Sequence, residues 1–184
     1  MAKFLGLGNA LVDILVQLPN DAKLFELNLP KGSMQLVDAE RMQSILAQTE
    51  GLPRTLAAGG SAANTIHGLA NLGMSTAFIG KVGDDSFGQA FANDMTQNGI
   101  TPIMLKGNAE SGRALAFITP DSERTFAVYL GAAIEMTPND LNPSLFSGYT
   151  HFHIEGYLVQ NHSLVRNAVE LAKQSGCSIS LDLA

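Results

Sequence analysis

The sequence predicts an α/β fold: a mainly parallel β-sheet with helices on its faces and a β-hairpin set into the pattern. Three observations carry that prediction. The middle of the chain alternates strand-like and helix-like segments in βαβα order, the arrangement of a parallel sheet. Two β-prone runs, Ala114 to Thr119 and Thr125 to Leu130, flank the turn signal Pro120-Asp121-Ser122-Glu123. The 184 residues, 46% hydrophobic and 15% charged, suffice for one domain with a real core but not comfortably for two.

The elements follow in order. Residues 3 to 8 end in Gly6-Leu7-Gly8 and read as a buried strand running into a tight turn. Residues 12 to 18 alternate, with Val12, Ile14, Val16 and Leu18 on one side and Asp13, Leu15 and Gln17 on the other, which is strand periodicity. Asp38 is an N-cap for a helix to Gln48. Gly59-Gly60-Ser61 opens a second helix, with Ile66, Leu69 and Ala70 at helical spacing and Gly73 as its terminator. Ser75 to Ile79 is a strand, and Asp85 or Ser86 caps a helix to about Asn98, closed by Gly99. Thr137-Pro138-Asn139-Asp140 has the cap, the Pro and the acid of a helix start. Thr150 to Ile154 is a strand, Ser163 to Gln174 a helix and Cys177 to Leu183 a strand. The last strand ends at the chain's last residues without a following helix, the ending expected of a chain that is cut rather than complete.

Composition excludes several classes of function. A net charge of -6, a pI near 5.1 and the absence of any basic stripe argue against nucleic acid as a partner. No apolar run is long enough to span a membrane, and no signal-peptide layout opens the chain, so the cytoplasm is the expected location. The lone Cys177 reads as a small buried hydrophobe, and no Cys/His spacing suggests zinc. His151 and His153 share one face of a strand, and two ligands do not make a metal site.

Gly6-Leu7-Gly8 is not a dinucleotide fingerprint, because the third glycine is missing and a strand rather than a helix follows. No Walker-type phosphate loop occurs. Asp13 lies in an apolar stretch and admits two readings: a solvent-facing residue of a half-buried strand, or a carboxylate that accepts hydrogen bonds from substrate hydroxyls. Gly59-Gly60-Ser61-Ala62-Ala63-Asn64 also admits two. It is either a tight turn with a Ser cap, or a place where a ligand meets the backbone closely beside free N–H groups. Asp84-Asp85 reads as a helix cap with acids complementing the dipole, and alternatively as a carboxylate pair.

Taken in order, Gly59-Gly60-Ser61-Ala62-Ala63-Asn64, Gly73, Gly80-Lys81-Val82-Gly83-Asp84-Asp85 and Gly88 resemble the N-terminal signature of the ribokinase (PfkB) carbohydrate kinase family. Gly8-Asn9-Ala10-Leu11-Val12-Asp13 resembles that family's first strand. Ser122-Glu123-Arg124-Thr125 with Leu130-Gly131-Ala132-Ala133 resembles its lid hairpin, and Glu155-Gly156-Tyr157-Leu158 and Leu181-Asp182-Leu183-Ala184 its later core strands. Lys31-Gly32-Ser33-Met34 and Asn64-Thr65-Ile66 look most like the adenosine-kinase branch, although Ile66 departs from the small residue of the sugar-kinase branches.

The resemblance implies a doubly wound α/β fold in which residues 1 to 184 are the N-terminal part of a single domain, with a small β-sheet lid from about 12 to 36 and 100 to 130. It implies phosphoryl transfer from ATP, with Mg²⁺, to a hydroxyl of a nucleoside or sugar, the 5′-hydroxyl of adenosine first and ribose or fructose second. A sugar-phosphate acceptor fits less well, since residues 1 to 40 offer only Lys3, Lys23 and Lys31 as cations. Asp13 would hold the ribose hydroxyls; Gly59, Gly60 and Asn64 the same sugar; Asn9 and Ser61 the base or ring; Gln35 and Tyr157 the base. Arg124 would reach the transferring phosphate from the lid. The family's second signature, a Gly-Ala-Gly-Asp run that carries the anion hole and catalytic base, does not occur, so these residues alone are expected to be inactive. A non-catalytic binding module and a homodimer made through the lid are the other readings.

Overall fold

Val12, Ile14 and Val16 are buried while Asp13 and Leu15 between them are only partly so, and this alternation places residues 11 to 17 in a sheet with one face packed. The computed structural model describes residues 2–183. In chain order its elements are β1 (Lys3–Leu7), β2 (Leu11–Gln17), α1 (Ala22–Glu26), β3 (Met34–Leu36), α2 (Ala39–Gln48), β4 (Arg54–Gly59), α3 (Ser61–Asn71) and β5 (Ser75–Val82). There follow α4 (Ser86–Gln97), β6 (Ile100–Lys106), β7 (Gly112–Ile118), β8 (Arg124–Tyr129), β9 (His151–Ile154), α5 (His162–Gln174) and β10 (Ser178–Leu181).

Local chemistry accounts for several ends. The Asp38 carboxylate accepts from the Arg41 N–H (2.8 Å) and the Asp85 carboxylate from the Gly88 N–H (2.8 Å), each satisfying a free donor of the first turn. Gly73 and Gly99 take φ of +78° and +74° just past α3 and α4, the left-handed conformation that ends helices.

The strands form two sheets. One has the order β10-β9-β1-β5-β6 and is parallel throughout. Its two faces carry separate cores. On one, Ile66 of α3 and Phe91 and Met95 of α4 pack with Phe78; on the other, Leu164, Ala168 and Ala172 of α5 pack with Leu5, Leu7 and Ile79. The strand order reverses between β1 and β9, because the chain runs outward through β5 and β6 on one side and through β9 and β10 on the other. Ligands of open α/β sheets bind at the carboxyl ends of strands at such a reversal.

The second sheet has the order β3-β8-β7-β2-β4 and is mixed. It departs from the segments expected for the lid. Strand β6 (Ile100–Lys106) pairs with β5 in the main sheet, so only residues 112 to 129 of the expected 100 to 130 enter the second sheet, and β4 joins it as an edge. The helix expected from Thr137 is a single 3₁₀ turn, Pro138–Asp140, with Thr137 N–H and Oγ1 both bonded to Asp140 Oδ2 (2.7 and 3.0 Å). Pro143 follows; it offers no N–H and disfavours helix in the residue before it.

Candidate active site

Asn9 follows β1 and Glu155 follows β9, so the strand reversal brings them together. Glu155 is 1% exposed and makes no ion pair among the described residues. Its Oε1 accepts from the Asn9 N–H (2.9 Å) and from Asn9 Nδ2 (2.6 Å), and its Oε2 from the Ala62 N–H at the start of α3 (3.2 Å). Burial pushes the Glu155 carboxyl up from its ordinary range, and these N–H donors pull it back. A Cβ on Gly8 would stand 2.3 Å from Glu155 Oε2, so the glycine makes room for the carboxylate.

Gly59 and Gly60 serve a similar purpose. A Cβ on Gly59 would lie 2.2 Å from the Asp13 carboxyl, and one on Gly60 would lie 2.5 Å from the Asn9 carbonyl oxygen. Gly60 also takes φ of +102°, which disfavours any side chain. The Gly-Gly pair therefore lies directly against both candidate ligand groups.

Asp13 points to the face of β2 opposite the core. Among the described residues no donor reaches its carboxylate, and burial lifts it from 3.8 to about 6. It faces a cavity of about 1090 Å³, slightly above the roughly 300–1,000 Å³ usual for small-molecule sites. Asn9, Gly60, Ser61, Glu155 and Tyr157 line the same space. Beside Asp13 the same face of the second sheet is apolar: Ala114, Val128 and Leu36 stand in register with it across β7, β8 and β3, with Met34 and Phe126 next to them and Leu130 and Ile134 in the segment after β8.

Not every expected site residue is there. Gln35 lies between Met34 and Leu36 on β3, and the two-residue period that turns those two to the cavity turns Gln35 to the other face. Asn64 is exposed on α3 and does not line the cavity. Gly59 lies on β4 against the Asp13 carboxyl and does not line the cavity. Ser61 is the first residue of α3 and not its cap, and its hydroxyl bonds the Asp182 carboxylate at the end of β10. Arg124 opens β8 with its guanidinium 5.8 Å from the Phe126 ring centroid, at the first residue of the strand and off the cavity wall. Sequence reasoning missed Glu155 as a site residue, along with the apolar wall. The signal for Glu155 was present, since an acid directly after the apolar strand Phe152 to Ile154 must be paired or exposed.

A doubly wound sheet with a cleft at its reversal point, walled by a second small sheet, defines an open α/β protein of the kind that places its site at the carboxyl ends of strands. Comparison with known proteins makes this particular. Residues 36–183 match the model of the pfkB family carbohydrate kinase, and the chain belongs to that family. It is 35% identical over 133 residues to fructokinase of Solanum tuberosum, covering 68% of this chain and 42% of that protein. Its fold is similar to adenosine kinase from Sinorhizobium meliloti (TM-score 0.84, 33% identity, 98% of this chain and 56% of that one). It is also similar to a probable sugar kinase protein from Rhizobium etli CFN 42 (TM-score 0.85, 32% identity, 98% and 55%). The chain thus spans about half the length of these relatives.

Proposed function

We propose that the protein carrying this chain phosphorylates a hydroxyl of a nucleoside with ATP, the 5′-hydroxyl of adenosine being the best fit, and that these residues form the acceptor-substrate half of its site. The observation that carries this reading is the Asp13 carboxylate, met by no donor among the described residues, beside an apolar surface on the same sheet face. A short carboxylate accepts two hydrogen bonds from vicinal hydroxyls, as ribose offers. Met34, Leu36, Phe126 and Leu130 suit the flat apolar face of a base, which a free hexose lacks. Asp13 orients the acceptor and is not assigned as the base that takes its proton. Closure of the second sheet over the acceptor would exclude water from phosphoryl transfer, which depends chiefly on positioning and electrostatic stabilisation.

Mg²⁺ would accompany ATP. Among the described residues no group of three or more His, Cys, Asp or Glu could hold a metal ion, so none of the roles proposed for them runs through one. A sugar-kinase reading is favoured by one observation, the 30–35% identity to plant fructokinases. The test is ATP-dependent ADP release by the full-length protein with adenosine, ribose and fructose side by side. Release with adenosine alone supports the nucleoside reading. Release with a sugar replaces it by the sugar-kinase reading, and silence with all three from folded protein favours a binding module.

A further inference from the structure

Glu155 and Asn9 do more than pack at the strand reversal. Glu155 accepts three N–H hydrogen bonds, two of them from Asn9. An ionised carboxylate can only accept, so the Asn9 amide must turn its nitrogen toward Glu155 and its oxygen away. That Oδ1 is buried and meets no donor among the described residues, in a side chain that lines the cavity and is 6% exposed. A buried acceptor fixed in this way requires a donor from elsewhere.

We propose that Glu155 is a positioning residue: it holds Asn9 as an obligate hydrogen-bond acceptor in the cavity wall, so that the site selects an acceptor substrate with an O–H or N–H donor at that point. The proposal rests on reading this cavity as the acceptor-substrate site. Ala62 contributes by taking the second Glu155 oxygen, which prevents the carboxylate from rotating away from Asn9. The arrangement needs a carboxylate. A glutamine whose oxygen serves Asn9 would set its own N–H₂ against the Ala62 N–H, and the reverse rotamer would set it against the Asn9 donors.

The test is a double-mutant cycle in the full-length protein, run with whichever of adenosine, ribose or fructose the wild type turns over. E155Q should raise the acceptor KM about tenfold, roughly one hydrogen bond, with kcat moving much less. The same substitution in an N9A background should add almost nothing, because Glu155 acts through Asn9. An unchanged KM in E155Q, or the full E155Q effect persisting in N9A, overturns the proposal. If no acceptor is turned over, the kinase reading fails and the wild-type protein still decides by NMR. The Asn9 side-chain amide, assigned by its loss in N9A, should be shifted downfield and slow to exchange. An Asn9 amide indistinguishable from those of exposed asparagines overturns the proposal.

Discussion

Asp13 shows how one side chain can serve function at a cost in stability. Its folded pKa of about 6 lies above the ordinary 3.8, so the folded state binds the proton more tightly than the unfolded state does. Between those two values stability falls as pH rises, and above about 6 the full penalty of the buried charge persists. Asp13→Asn should therefore raise Tm at pH 7.5 by more than at pH 4, measured by calorimetry, while acceptor binding is largely lost. The charged form is the one that accepts hydrogen bonds from two hydroxyls, so in the wild type the acceptor KM should climb as pH falls through about 6. A KM that is flat from pH 5 to 8 would contradict this role.

At the scale of elements, the segment after β8 is held by a buried cation. Lys81, 8% exposed at the end of β5, bonds both Asp140 oxygens (3.0 and 2.9 Å) and the Glu135 carbonyl (3.1 Å). The Glu135 carboxylate in turn accepts from the Asn108 and Ala109 N–H groups. Ala133, Ile134 and Met136 of that segment line the cavity, so this network joins the main sheet to the cavity wall. Lys81→Met should cost about 2 kcal/mol by denaturant unfolding, because Asp140 is left partly buried without its cation. It should also raise the acceptor KM, since the wall loses its anchor. The second sheet makes a separate contribution through Phe126. Phe126→Ala should raise KM for adenosine by about tenfold, as expected for a lost aromatic contact, and leave KM for ribose nearly unchanged.

Across the whole molecule, the main sheet separates two cores, and only one of them adjoins the second sheet. Phe146 and Phe152 meet edge to face, with centroids 5.1 Å apart, in the core on the α5 side. Phe146→Ala should destabilise by about 3–5 kcal/mol in thermal or denaturant unfolding. Its effect on acceptor KM at a temperature where the variant is folded should be small, because Phe146 itself does not line the cavity. A large KM change would mean that the core transmits strain to the cavity through Met136, Leu158 and Leu164, which belong to both.

Much of this was legible in the sequence because its causes are local. The alternation around Asp13, the caps Asp38 and Asp85, the glycines after α3 and α4 and the turn of the β7-β8 hairpin are set by a residue and its near neighbours. The Gly59-Gly60 pair and Asp13 were visible as candidates for the same reason. Sheet membership was not legible. Strand β6 is as β-prone as its neighbours, and only its pairing with β5 assigns it to the main sheet; short β3 and β4 have too little pattern to announce themselves. Gln35 and Asn64 were misplaced because which face of an element looks into the cavity depends on how the two sheets meet. By itself the sequence determined the fold class, the family signature and the chemistry of the Gly-Gly turn with its carboxylate. Only the tertiary structure decided that Glu155 clasps Asn9 and that an apolar surface flanks Asp13, because those neighbours are far apart in the chain and meet through the order of strands rather than through any local preference.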